Sequence, residues 1–572
     1  MTTKSTGAKA LALLAGSVLA MSACATSSGD STTAGSGSAS ASTSNKTFTW
    51  AYEQEFAQYN SNTTDGNASS NVVVLNPVLS GFWQFAPDGS ILPNKEFGTY
   101  EKTSDSPLTV KYSINPKAVW SDGKPVDCDD VTLTWLSKSG LTGEKGFIPA
   151  GTAGYENMNK PQCKAGAKDF TIVYKKSFAD WSAMFGPAEI VPAHIVEQKA
   201  GLTKTFVDYA DTPASPDLAK AFDFWNKGWA FNPGELKKDI TPSSGPYMID
   251  SWAAGQSLTL KVNPSWWGTP PKLGTIVLRY IGGPQEAQAL QNGEVQAMDP
   301  QPQVDLVNQL KAQGSKITFR TTDRYDFEHL DFSLKGQFKD KTMREAFAKC
   351  VPRQQIVDNL IKPLNANAKI LQSRFVFPFQ PAYKDFETGV GGEKYNKVDI
   401  AASKALLAGK SPTVRIGWRK DPAQLNKRRA DTVALIQASC SKAGFKVVDA
   451  GTPTFFQKEW PATNYDVAMF AWSGSPLVSG NNGIYETNGG QNPNGYSNPQ
   501  VDTLIKQMFA EIDKDKQVQI EKQVDTLLWT DLTTMPLFAF PAVFAATKDA
   551  QGLEYNPTQA DLSWNAASWS LS

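Results

Sequence analysis

Histidine is almost absent from this chain: its 572 residues include two, His194 and His329. A Ser-His-Asp triad would need one of them as its base, and neither lies near a nucleophile-elbow pattern. No His-Glu-x-x-His or Cys-x-x-Cys occurs, so structural or catalytic zinc lacks its usual ligands. A protein nickel site fails for the same shortage. Charge of one sign is also lacking, since Lys+Arg and Asp+Glu are 56 each. A chain without a basic excess makes a poor partner for nucleic acid. Gly409-Lys410-Ser411 ends like a phosphate-binding loop, but Lys404 stands where that loop needs its first glycine. Adjacent carboxylates such as Asp129/Asp130 are plentiful, yet adjacent acids are usually caps or solvated faces, not the opposed pair of a glycosidase. The expectation is a protein that is not an enzyme and uses no metal or cofactor.

A long hydrophobic run is missing too, except at the start. Lys4 and Lys9 precede an apolar run, Ala10 to Met21, that is too short to span a bilayer comfortably. Met21-Ser22-Ala23-Cys24 follows and resembles a bacterial lipobox, with Met where Leu is commoner. The resemblance implies a signal peptide over 1–23, cleavage before Cys24 and a diacylglyceryl group on its sulfur. Residues 24–45 are mostly Ser, Thr, Gly and Ala, a composition that cannot bury enough surface to fold and acts as a flexible tether. The expected location is the outer face of the cell membrane, with the lipid as the membrane contact.

Five cysteines are Cys24, Cys128, Cys163, Cys350 and Cys440. With Cys24 lipidated, four remain, an even number in an oxidising compartment. They allow three connectivities. Cys128–Cys163 with Cys350–Cys440 keeps each bond inside one half of the chain and is the expected pairing; four free buried thiols are the alternative. Sixteen Trp are present, most of them expected in cores. Strands are predicted at 48–52, 108–115, 170–174, 258–262, 276–280, 412–418, 445–448 and 465–472. Helices are predicted from Val131, with Asp129 and Asp130 at the positive end of the dipole, and over 341–351, 399–407, 429–443, 501–512 and 516–529. Alternating strands and helices in the later half favour an α/β lobe, while the earlier half is closer to α+β.

Several motifs in chain order resemble one family. Trp120-Ser121-Asp122-Gly123-Lys124-Pro125-Val126 with Asp129-Asp130-Val131 comes first, then Val191-Pro192-Ala193-His194. Ser244-Gly245-Pro246-Tyr247, Asn263-Pro264-Ser265-Trp266-Trp267 and Gln291-Asn292-Gly293-Glu294-Val295 follow. Arg344-Glu345-Ala346-Phe347, Pro352-Arg353, Gly495-Tyr496-Ser497-Asn498-Pro499 and Met535-Pro536-Leu537 complete the set. Together they are similar to bacterial extracellular solute-binding proteins of the oligopeptide/dipeptide/nickel class, of actinobacterial type. The resemblance implies a two-lobed, periplasmic-binding-protein-like clamp of mixed α/β class with an extra inserted subdomain. Its first lobe would take residues 46–86, 241–320 and 541–572, its inserted subdomain 87–240 and its second lobe 321–540. The implied function is capture of an oligopeptide or peptide-like solute for an ABC importer, with the permease and its ATPase subunits as partners and the chain a monomer. A non-peptide solute such as an oligosaccharide, or a surface-anchored enzyme or adhesion module on the same scaffold, is the alternative.

The resemblance also implies a ligand site. Trp472 stands at the family's ligand-contacting Trp. Ser475 stands where peptide binders carry an acid for the peptide amine, and a serine cannot supply that charge-assisted bond. No Lys, Arg or His lies between Trp460 and Trp472, where some members place a base for the peptide carboxylate. Tyr52, Glu53 and Glu55 are candidates to replace the lost carboxylate.

Overall fold

The computed structural model describes residues 43–143, 145–282, 284–420, 427–472, 474–489 and 491–572. Cys24, the signal segment and nearly all of the tether lie outside these residues. In chain order the strands that matter are β1 (Ser44–Tyr52), β2 (Gly98–Asp105), β3 (Leu108–Ile114), β4 (Asp169–Val173), β5 (Tyr247–Ala253), β6 (Ser257–Val262) and β7 (Leu273–Tyr280). They continue with β8 (Ala297–Met298), β9 (Ile317–Phe332), β10 (Thr413–Gly417), β11 (Lys446–Asp449), β12 (Val467–Trp472) and β13 (Thr534–Thr547). The helices used below are α1 (Cys128–Lys138), α2 (Ala193–Ala200), α3 (Lys341–Cys350), α4 (Ile400–Leu407), α5 (Lys427–Cys440), α6 (Pro499–Ala510) and α7 (Lys514–Asp531).

One ten-stranded mixed sheet runs through the molecule in the order β11-β10-β12-β9-β13-β8-β1-β7-β6-β5. Beside it, β2, β3 and β4 form a separate antiparallel sheet. Strand β3 alternates buried Leu108, Val110, Tyr112 and Ile114 with more exposed partners, the period-2 pattern of a half-covered sheet. Two large hydrophobic cores result. One gathers side chains between Phe48 and Ala297 together with Phe544 and Trp569. The other gathers side chains from Tyr325 to Ala539. The chain is therefore a two-lobed α/β clamp.

Strands β9 and β13 are long because they belong to both lobes. Ile317–Asp323 pairs with Pro541–Thr547 on the first-lobe side, and Phe327–Asp331 pairs with Thr534–Ala539 on the second. Between these stretches the register breaks, with Arg324, Tyr325 and Asp326 set against Phe540 alone. Such a bulge bends and twists a paired ribbon. It marks where one lobe gives way to the other.

Local chemistry explains the helices. Asp127 caps α1 by accepting from Asp129 N, and Asp130 returns the bond to Asp127 N, a reciprocal capping box. Asp129 and Asp130 are nonetheless buried, not solvated as adjacent acids usually are. Asp130 also accepts from Ala193 N (2.8 Å), tying α1 to α2. His194 pairs through Nε2 with Asp122 (2.8 Å), joining two of the family-like motifs. Cys128 is bonded to Cys163 (Cα–Cα 6.4 Å) and Cys350 to Cys440 (Cα–Cα 4.9 Å), the expected pairing. The second bond ties the end of α3 to the end of α5. Ten of the sixteen Trp are buried, and Trp460 and Trp472 are among those only partly covered.

Candidate functional site

Strands β1, β7 and β8 are parallel neighbours, so their C-terminal ends share one edge of the sheet. In α/β sheets this edge is where ligands are bound. Tyr52 ends β1 there, buried at 8% exposure, and Asp299 follows β8. Arg324, from the bulge in β9, lies 3.3 Å from Asp561 and 3.9 Å from Asp299, and its Nε is 3.6 Å from Asp326. Neither oxygen of Asp299 meets a hydrogen-bond donor among the described residues. Burial, and then the neighbouring Asp561, hold the Asp299 carboxyl well above the usual carboxylate range. The same causes push up the Tyr52 hydroxyl, with burial foremost. Tyr555 adds a buried hydroxyl that meets no hydrogen-bond partner among the described residues. This edge of the first lobe is thus acidic and sparsely hydrogen-bonded.

The second lobe presents aromatic and cationic groups. Trp472 ends β12 and lies nearly parallel to His329 (5.8 Å, 11°), with Phe470 (4.8 Å) and Trp460 (6.2 Å) edge-on. The indole N–H groups of Trp460 and Trp472 are both shielded and meet no acceptor among the described residues. Glu328 receives a bidentate pair from Arg429, at 2.6 and 3.0 Å. This Arg partner holds the Glu328 carboxyl below its usual range against the opposing effect of burial. Arg428 lies over the ring of Phe540 at 4.3 Å.

Away from β9 and β13 the lobes also touch. Ser479 N donates to Asp180 (2.8 Å), and Ala179 N donates to the Phe509 carbonyl (2.7 Å). Ala179, Val478 and Met508 form a small apolar cluster at the same place. Nearer the bulge, Tyr325 Oη donates to the Asp88 carbonyl (3.3 Å). The clamp is closed.

The residues singled out from sequence are therefore divided. Tyr52 and Glu53 lie at the first-lobe edge, where exposed Glu53 accepts from Gln301 N (3.3 Å). Glu55 is placed elsewhere: its Oε1 accepts from Trp252 Nε1 and Gly255 N, both 2.8 Å, and so fastens the turn between β5 and β6. Trp472 and Ser475 belong to the second lobe. Ser475 Oγ accepts from Leu477 N (3.1 Å), and Gly474 N donates to the Tyr325 carbonyl (3.1 Å), which sets this turn against the bulge. Sequence reasoning missed Asp299, Arg324, Asp561 and Arg428. For Arg428 a signal existed: Lys427-Arg428-Arg429 puts three bases at the positive end of a helix, against the usual preference.

Comparison with known proteins fits this architecture. The profile of the "Bacterial extracellular solute-binding proteins, family 5 Middle" matches residues 94–495. The uncharacterized lipoprotein ML0489 of Mycobacterium leprae is 30% identical over 539 residues, covering 90% of this chain and 91% of its own. The oligopeptide-binding protein OppA of Mycobacterium tuberculosis is 26% identical over 514 residues, covering 85% and 78%. Among solved structures, a periplasmic EDTA-binding protein, EppA, superposes with a TM-score of 0.81 at 22% identity, over 93% of this chain and 98% of its own. The oligopeptide-binding protein AppA of Bacillus subtilis, in complex with a nonapeptide, gives 0.70 at 18% identity, over 92% and 99%. The chain belongs to the bacterial extracellular solute-binding proteins of family 5.

Proposed function

We propose that this chain captures oligopeptides, or another peptide-like organic solute, between its lobes and presents the closed form to the permease of an ABC importer. The single observation that carries the reading is the closed two-lobed clamp of a family 5 chain, held by two crossing strands and by separate contacts remote from them. Binding free energy drives such closure, and the closed shape is what a membrane partner can distinguish. Relatives named for oligopeptide binding support the ligand class. Tyr52, Glu53, Trp472 and Ser475 are the proposed ligand contacts, joined by Asp299 and Arg324. Cys24 is the proposed lipid attachment point, and the working form is a monomer on the outer face of the cell membrane. Ser475, in place of an acid, favours a second reading in which the ligand carries no free amine at this position.

Mass spectrometry of ligand released from natively purified protein tests the proposal. Peptides with a free amine are the expected content; a homogeneous solute without one would replace the first reading with the second. Cys24→Ala is expected to release the protein from membranes, and radiolabelled palmitate still entering that variant would refute the anchor.

A further inference from the structure

Near the end of β9, Asp331 stands directly opposite Thr534 of β13. Opposed residues of a ladder send their side chains to the same face. Here both line a small cavity of about 20 Å³. Tyr485, Gln491, Asn492 and Asn494, from the segment after β12, line it too. About 10–15 Å³ is enough for one water-sized particle, so the cavity takes a single occupant.

The oxygens around it are short of partners. Tyr485 Oη and Thr534 Oγ1 are shielded from solvent and meet no hydrogen-bond partner among the described residues. The two residues are 3% and 4% exposed. Burial holds the Tyr485 hydroxyl well above its ordinary range, so it stays a neutral oxygen. Asp331 is 6% exposed and accepts from Asn494 Nδ2 at 3.5 Å, a long bond. His329 Nε2 lies 3.2 Å from the same carboxylate oxygen, yet it makes no hydrogen bond among the described residues. The other ring nitrogen, Nδ1, donates to the Phe327 carbonyl (3.4 Å), so Nε2 of the neutral ring offers a lone pair and not a proton. Arg374 lies near Tyr485, but Asp525 already takes its charge.

A carboxylate withdrawn from water is costly unless a cation or several donors meet it. Neither hydroxyl donates to Asp331, although both share its cavity. A water would pair with the hydroxyls and leave the charge unmatched. A cation answers both needs, and one carboxylate among neutral oxygens matches a single positive charge. We infer that this cavity binds one monovalent cation, sodium or potassium, held by the Asp331 carboxylate and the hydroxyl oxygens of Tyr485 and Thr534. Asn492 and Asn494 keep the wall in place, since Asn492 Oδ1 accepts from Tyr496 N (3.1 Å) and Asn494 Oδ1 from Tyr465 Oη (2.7 Å). The ion joins β9 and β13 to the segment that also carries Ser479, whose N–H crosses to Asp180 of the first lobe. It thereby stiffens the second-lobe side of that contact, whichever solute the cleft takes.

The test is thermal unfolding of the full chain, dialysed into choline chloride, whose cation is too large for the cavity. Sodium or potassium chloride then replaces choline at constant ionic strength. At least one of the two is expected to raise the melting temperature by about 2–4 °C and to saturate, and the lower half-saturating concentration identifies the occupant. Asp331→Asn is expected to abolish the response. Tyr485→Phe and Thr534→Val each remove one ligand oxygen with little change of shape, and each is expected to raise the half-saturating concentration about 10-fold. If Asp331→Asn does not fold, these two variants decide. Equal melting in all three salts overturns the inference and leaves a water in the cavity. A response that every folded variant retains unchanged places the ion elsewhere and also overturns it. Calcium chloride stabilising the chain where neither monovalent salt does overturns the single charge. Melting that rises as pH falls, with no cation response, assigns the compensating charge to His329 and ends the proposal.

Discussion

Asp180 is the residue whose loss should open the clamp without harming either lobe. Its side chain is 2% exposed and accepts a hydrogen bond from Ser479 N across the interface. Lys514 also approaches to 3.9 Å, but that amine is 70% exposed and adds little. With Asp180→Ala, the closed form buries an unsatisfied amide at Ser479, whereas in the open form water satisfies it. The difference acts on closure alone. A hydrogen bond to a charged acceptor is worth about 1.5–3 kcal/mol, so the closed population should fall by about 10-fold or more relative to the open one. Amide hydrogen exchange of the ligand-free protein reads this directly. Protection at Ser479 and at Ala179, whose N–H crosses the same interface to Phe509, should fall together by about that factor. Core amides of β3 and β12 should be unchanged. Asp180→Asn, which keeps an acceptor oxygen, should retain most of the protection. A drop at Ser479 with Ala179 unaffected would refute the reasoning, because the contact would then be local and not a latch between lobes.

Three further outcomes follow from the packing. Non-reducing peptide mapping should recover Cys128–Cys163 and Cys350–Cys440, and replacing Cys350 and Cys440 by Ala together should cost about 2–4 kcal/mol in denaturant unfolding, given the 90-residue separation. Burial, with a hydrogen bond shared with Asp129, raises the Glu197 carboxyl to about 9. A raised carboxyl favours the native state below its unfolded value of about 4.3 and loses that contribution as pH rises through about 9. Glu197→Gln should therefore flatten the fall of the melting temperature with pH across this window and be more stable than the parent at pH 8; parallel curves would contradict it. Trp472→Ala should weaken ligand binding by about 1–3 kcal/mol in calorimetric titration, while a large loss of ligand-free stability instead would assign the indole to the core around His329 and Phe470.

Much of the fold was legible because local rules and tertiary context agree in most elements. Strand β3 shows a period-2 pattern, α1 has acids at its start, and α5 runs on into a turn closed by Gly444. The two strands that define the clamp were not foreseen. Strand β13 carries Pro536 and Pro541, which argue against a central strand because proline cannot donate to the ladder. In the structure both prolines sit at the ends of register breaks, Pro536 opposite His329 and Pro541 opposite Asp323. The sheet accepts them where its pairing is already interrupted. Strand β9 carries Arg320, Asp323, Arg324, Asp326, Glu328 and Asp331, a charged run that reads as loop. Those charges find partners in both lobes, including Arg429 and Asp561, which no local pattern could indicate.

The site was harder to read for a related reason. The proposed ligand contacts come from several distant segments: Tyr52, Asp299, Arg324 and Trp472 share no motif and no periodicity. Glu53 and Glu55 were attractive because they are near Tyr52 in the chain, yet two residues along an irregular segment were enough to send Glu55 to the hairpin turn at Gly255. Chain proximity is thus a weak guide here, whereas a violated preference is a better one. Bases at the start of α5, proline in β13 and charge in β9 each contradict the local element that contains them. These contradictions are met from outside the element: Glu328 of β9 takes Arg429 of α5, Asp561 takes Arg324, and the breaks in register between β9 and β13 take the prolines.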